Sequence, residues 1–284
     1  MATFTNQATL TYNGRTVASN LVTGQVISPL TLTKTAGEDA YRPGDTVSYV
    51  VSVVNDGSVN YEGLTLTDDL GAYGAAGQTA YPLAYVEDSL RYFINGVPQP
   101  APQITPGDVL TVTGISVPAG GNAMLVYETE ITGAAPLTAG GEIVNTAVLT
   151  GPGINAPLQA QASIAAEETA ELTVTKSLYP ATVAENGLLT YTFSVQNSGN
   201  QAAGEDAAVA VSDLFDPILK DITVTLDGET LSEGTDYTYD AASGQFDTVA
   251  GRITVPAAAF AQTLSDGSWT VTPGEAVLTV QGTV

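Results

Sequence analysis

The chain has 284 residues, enough for two domains with cores of their own, and carries 7 Lys plus Arg against 30 Asp plus Glu, a formal net charge of −23. That charge repels phosphate backbones and anionic membrane surfaces alike, so no nucleic-acid partner is expected. With neither Cys nor His, the sequence excludes thiol and zinc chemistry and His-based acid-base catalysis, and no cofactor is expected.

No window approaches the ~20 apolar residues of a membrane span, and the start, Met1-Ala-Thr-Phe-Thr-Asn-Gln7, has no basic region followed by an apolar run. The expectation is a chain that leaves the cell without a cleaved signal, or one whose leader lies outside this sequence. Apolar and polar residues alternate through most of the chain, Thr and Val are frequent, and Gly or Asn-Gly punctuates every ten residues or so. The pattern predicts an all-β protein, two tandem Ig-like β-sandwich repeats preceded by an N-terminal donor strand or hairpin.

In chain order, residues 1–28 read as that hairpin and its linker, turning at Asn13-Gly14, a dipeptide suited to positive backbone angles. Residues 29–166 form a complete repeat. Its strands include Leu30-Thr-Leu-Thr-Lys34, Thr46-Val-Ser-Tyr-Val-Val-Ser-Val-Val54, Leu64-Thr-Leu-Thr-Asp68, a strand before Asn95-Gly96, Ala123 to Ile131, and Ile143-Val-Asn-Thr-Ala147. Residues 167–284 repeat the order with Leu172-Thr-Val-Thr-Lys176, Leu189 to Val195, Val209-Ala-Val-Ser-Asp213, a strand before Asp227-Gly228, Arg252 to Pro256, and Ala276 to Val284. Aligning Ala123 with Ala276 sets Ile131 opposite Val284, so the second repeat is expected to lack the strand that carries Asn145 in the first. The N-terminal stretch Phe4-Thr-Asn-Gln-Ala-Thr-Leu-Thr11 resembles that missing strand and sets Asn6 against Asn145.

Two of only three lysines, Lys34 and Lys176, occupy equivalent positions. Residues two apart on a strand share a face, so Lys34 lies with Leu30 and Leu32, and Lys176 with Leu172 and Val174. The same parity groups Asp68 with Leu64 and Leu66, Asp213 with Val209 and Val211, and Asn145 with Ile143 and Ala147. Asn6 falls with Phe4, Ala8, Leu10 and Tyr12. Each repeat is thus expected to aim a Lys, an Asp and an Asn into its core, the second repeat drawing its Asn from an N-terminal strand. An unpaired buried charge is costly, so one reading is a buried ion pair supported by Asn. The sharper reading is a spontaneous amide crosslink in which a desolvated, neutral Lys amine attacks the Asn carboxamide and ammonia leaves. The Asp, protonated by burial, polarises the amide and shuttles the proton. Glu128 and Glu130 are alternative acids, but their second-repeat counterparts are Gln281 and Thr283. A calcium site at Asp68-Asp69 or Gly37-Glu-Asp39 lacks an Asp-rich loop of regular spacing, and no metal is expected.

The run from Lys34 through Gly44-Asp-Thr-Val-Ser-Tyr-Val-Val-Ser-Val-Val-Asn-Asp-Gly57 and Leu64-Thr-Leu-Thr-Asp68 to Ile143-Val-Asn-Thr-Ala147 resembles the DUF11 repeat and the related D2-type isopeptide-forming domain of Gram-positive surface proteins and pilins. The resemblance covers almost the whole chain. It implies an internal Lys34–Asn145 isopeptide catalysed by Asp68, and by extension a bond between Lys176 and Asn6 of a neighbour with Asp213 as the acid. The expected protein is therefore a structural subunit that polymerises with itself head to tail on a cell or spore surface. A fragment of a longer multi-repeat adhesin or stalk is the alternative. An enzyme acting on an external substrate is a distant third.

Overall fold

A computed structural model describes residues 2–26, 29–75, 77–263 and 267–284. It is all-β, with one short 3-10 turn at Glu205–Ala207 as its helical element among the described residues. No helix in those residues is long and apolar enough to cross a membrane.

Thr46–Asn55 illustrates why the first sandwich forms. Val47, Tyr49, Val51 and Val53 are buried while the residues between them are more open, which is the period of a strand with one face on a core. It pairs on one side with Gly121–Ile131 and on the other with Leu30–Ala36. Arg91–Ile94 and Val97–Gln99 extend this sheet beyond Gly121–Ile131. The facing sheet runs Gln103–Thr105, Leu110–Val117, Tyr61–Asp68, Glu142–Thr150, Leu158–Ala166 and Ala40–Tyr41, with only the last pairing parallel. Leu64, Leu66, Ile143, Ala147 and Leu149 meet Val51, Val53 and Leu125 between the two sheets. Burying each large aliphatic side chain contributes about 1.5–3 kcal/mol, so this interior is the main stabilising feature of the repeat.

In the second sandwich, one sheet has the order Leu172–Tyr179, Leu188–Asn197, Gly274–Thr283, Lys220–Leu226 and Glu229–Thr230. The other has three strands, Ser212–Leu214, Gln245–Thr248 and Tyr237–Asp240. Two details differ from expectation. The strand predicted over Val209–Asp213 is confined to Ser212–Leu214, because Val211 bonds instead to the Thr248 hydroxyl and backbone. Arg252–Pro256 contributes only an isolated bridge from Val255 to Ala203. Ser212–Leu214 is an edge strand, whereas its counterpart Tyr61–Asp68 is flanked on both sides.

The N-terminal segment is a hairpin whose strands, among the described residues, pair only with each other. Ala2–Asn6 pairs with Val22–Val26 and Thr9–Tyr12 with Arg15–Ala18, around a turn in which Asn13 and Gly14 have φ of 46° and 71°. Between the two ladders, Gln7 and Ala8 face three residues, Ser19, Asn20 and Leu21, so the return strand carries a bulge. The Phe4 ring lies over Gly24, where a Cβ would come within 2.4 Å of it. Phe4, Leu10, Tyr12, Leu21 and Val22 are all more than half exposed. The linker expected to end this segment, residues 27 and 28, lies outside the described residues.

Candidate functional site

Lys34, Asp68 and Asn145 converge between the two sheets of the first repeat. Lys34 projects from Leu30–Ala36 in one sheet, while Asp68 and Asn145 come from adjacent strands of the other, in which Asp68 pairs with Ala147 two residues beyond Asn145. All three are buried, at 5%, 1% and 0% exposure. Lys34 Nζ donates to Asp68 Oδ2 at 2.5 Å. The other carboxylate oxygen, Oδ1, accepts the Leu70 amide at 3.0 Å. Burial pushes the Lys34 amine below its ordinary pKa, and the adjoining Asp68 charge opposes that shift without cancelling it.

Asn145 is the anomaly. Burying a carboxamide is costly unless its hydrogen bonds are replaced, and two other buried asparagines meet that condition. Asn55 donates to the carbonyls of Val59 and Pro118 and accepts the Gly57 amide; Asn197 donates to those of Gln201 and Pro256 and accepts the amides of Gly199 and Glu171. Asn145 makes no hydrogen bond through Nδ2 or Oδ1. Its carboxamide has no contact of hydrogen-bond geometry and lies in the same core as an amine of lowered basicity and a carboxylate. These are the parts of a transamidation: nucleophile, electrophile and proton carrier.

Two tyrosines complete the cluster. Tyr127 donates its hydroxyl to Asp68 Oδ2, and Tyr49 stacks on Tyr127 with ring centroids 5.9 Å apart. Lys34 Nζ stands 4.8 Å from the Tyr49 ring centroid. Nothing in the sequence singles out either one beyond their place on the inward parity of their strands, and they lie directly opposite each other. Glu128 and Glu130 are exposed and cannot serve as the acid. Asp69 spends Oδ1 on the amides of Gly71 and Thr146.

The second constellation is half assembled. Lys176 donates to Asp213 Oδ2 and lies over the rings of Tyr191, Phe193 and Phe215 at 4.4, 5.5 and 5.5 Å. The apolar face expected to bury Lys176 is open: its side chain is 40% exposed, and Leu172 and Val174 are exposed beside it. The physical reason is that, among the described residues, no strand lies alongside Ser212–Leu214 in the place that Glu142–Thr150 takes beside Tyr61–Asp68. An open groove of about 490 Å³ results, lined by Val174, Lys176, Phe193, Val195, Val211 and Asp213. Asn6, Phe4, Ala8, Leu10 and Tyr12 are not in it; they remain in the N-terminal hairpin.

Residues 167–271 match a family model described as the Sgo0707 N2 domain. No curated protein sequence matches the chain. Among solved structures, the chain is similar to BcpA, the major pilin subunit of Bacillus cereus, at 14% identity and a TM-score of 0.36, covering 96% of this chain and 73% of that one. It is also similar to the pilus backbone RrgB of Streptococcus pneumoniae, at 10% identity and a TM-score of 0.34, covering 87% of this chain and 55% of that one. A collagen-binding domain of a Staphylococcus aureus adhesin is similar at 15% identity and a TM-score of 0.30, over 49% of this chain and 99% of that one. At these values the functional reading rests on the chain's own residues.

Proposed function

We propose that the chain is a structural subunit of an extracellular surface filament, joined head to tail by insertion of the N-terminal hairpin of one copy into the second repeat of the next. The single observation that carries this reading is the match between a groove and a hairpin. The groove beside Asp213 lies where the first repeat holds the hairpin of Glu142–Thr150 and Leu158–Ala166, and residues 2–26 are a hairpin whose outgoing strand repeats that one. Phe4, Asn6, Ala8 and Leu10 take the places of Ile143, Asn145, Ala147 and Leu149, and all four of the latter are buried. An exposed apolar strand and an open sheet edge are both unfavourable in water, and pairing them relieves both. The first repeat stands between the two elements along the chain, and a strand of typical length spans only about 17–20 Å, so the hairpin goes to a neighbour. Such a heterologous contact propagates as an open fibre unless its rotation closes a ring.

Docking would bring Asn6 to Lys176 and Asp213 in the relation that Asn145 has to Lys34 and Asp68. Each junction is then sealed by a Lys176–Asn6 amide, and each first repeat by a Lys34–Asn145 amide. The chemistry is self-directed and turns over no external substrate. Assembled protein boiled in SDS is expected to give a ladder of multimers, collapsing to monomer in each of Asn6→Ala, Lys176→Ala and Asp213→Ala. Wild-type assemblies that run wholly as monomer would sink the covalent junction and leave Lys176 and Asp213 as an ion pair.

A further inference from the structure

The Tyr49 hydroxyl is buried and has no hydrogen-bond partner, a second unsatisfied polar group in the core that holds the unsatisfied Asn145 carboxamide. A native core holds few such groups, and two in contact call for a common explanation. The hydroxyls of both Tyr49 and Tyr127 adjoin the Asn145 side chain: burial raises the pKa of each phenol, and the neighbouring carboxamide partly offsets the rise. Both hydroxyls stand close enough to interact with the carboxamide, but with the planar amide neither contact meets hydrogen-bond geometry.

We propose that Tyr49, with Tyr127 beside it, is a catalytic residue of the crosslinking reaction that donates its hydroxyl to the oxyanion formed on Asn145. This inference rests on the amide-bond reading above. Neutral Lys34 Nζ attacks Cγ of Asn145, and the carbonyl electron pair moves to Oδ1, which becomes an oxyanion in a tetrahedral centre. Asp68 takes a proton from Nζ and delivers it to Nδ2. The electron pair on Oδ1 then re-forms the carbonyl, the Cγ–Nδ2 bond breaks, and ammonia leaves, so one amide and one amine become one amide and ammonia. A donor that is idle toward the ground-state amide and engaged by the tetrahedral oxyanion stabilises only the transition state. A phenol serves at neutral pH because burial keeps it protonated. The second repeat retains half of this device. Tyr191 lies under Lys176 as Tyr49 lies under Lys34, but its cross-strand neighbour is Val280 where Tyr49 has Tyr127.

The test follows ammonia loss by intact mass in freshly synthesised, pulse-labelled full-length protein. Tyr49→Phe is expected to slow the loss by ~10²-fold, the scale on which removal of one oxyanion donor acts. The pH dependence of the rate should keep its wild-type form, because the titrating amine is untouched. A control in Asn145→Ala, which cannot bond, separates chemistry from packing: adding Tyr49→Phe there should leave the melting temperature unchanged. Ammonia loss from Tyr49→Phe at the wild-type rate overturns the proposal, as does a marked drop in melting temperature in the control. A wild-type chain that never loses ammonia overturns the crosslink reading itself, and this inference with it.

Discussion

Lys34 is an amine whose side chain has no access to water, and its chemistry follows from that. In water such a group is protonated and inert; with desolvation disfavouring the ammonium, part of the population is a neutral nucleophile. The direction of the shift fixes a pH dependence. In an Asn145→Ala chain Lys34 stays a free amine whose folded pKa lies below its unfolded value of about 10.4. The cost of burying the charged form is therefore fully present below the folded pKa and is relieved as pH rises toward the unfolded one. The melting temperature of Asn145→Ala should climb as pH rises toward the unfolded pKa, measured below the ~10 at which tyrosines of the unfolded chain ionise. The wild type, with Lys34 consumed in an amide, should lack that slope; equal slopes would argue that Lys34 is free in both. Intact mass gives the direct check at the same scale. Lys34→Ala and Asp68→Ala chains should each retain one ammonia that the wild type has lost, after correction for the substitution.

At the scale of elements, the hairpin at residues 2–26 is preformed and needs no refolding to dock. Among the described residues its outgoing strand is paired only on the side of the return strand, which leaves the other edge open to Ser212–Leu214. Register is demanding, because a slip of one residue would turn Asn6 and Leu10 away from the groove. In the first repeat Thr67 pairs with Val148. With Asn6 in the place of Asn145 and Asp213 in that of Asp68, Thr9 falls opposite Ser212. The chain has no cysteine, so introduced pairs report only on themselves. Thr9→Cys with Ser212→Cys should give disulfide-linked multimers under oxidation, and Thr11→Cys with Ser212→Cys, two residues out of step, should not. Equal yields from both pairs would rule out the proposed register. Deletion of residues 1–14 should leave chains that do not polymerise.

Across the whole molecule, the two lysine sites differ in what an amide would do. A Lys34–Asn145 bond ties two sheets of one sandwich together across a chain segment of about a hundred residues. By analogy with a disulfide of that span, its loss should cost ~4–5 kcal/mol, mainly through the greater freedom of the unfolded chain. Asn145→Ala tests this, the loss also including the cost of burying the freed Lys34 amine. A denaturation midpoint indistinguishable from wild type would show that the bond does not form. The inter-repeat contacts should survive this change, because they lie elsewhere: Asn200 donates to the carbonyl of Leu137, Gln262 to the Tyr73 hydroxyl, and Arg42 grips Glu167.

The sequence by itself determined the fold class, the hairpin turns and the inward placement of Lys34, Asp68 and Asn145. Strand periodicity is a local property, and so is the tolerance of Asn-Gly and Asp-Gly for positive φ, found at Asn13, Asn95 and Asp227. The internal repetition of Lys, Asp and Asn on apolar parities was legible for the same reason, and the structure places Lys34, Asp68 and Asn145 together as that parity requires. Sequence could not tell that Asn145 would be left without hydrogen bonds while Asn55 and Asn197 are saturated, because satisfaction depends on which carbonyls the corners bring near. Nor could it find Tyr49 and Tyr127 among 13 tyrosines, since their role comes from cross-strand pairing and from the sheet that faces them. Parity alone placed Lys176 in a core. Only the tertiary structure showed its site open, because whether an apolar face is buried depends on which strand covers it, and that is decided by pairing distant in sequence.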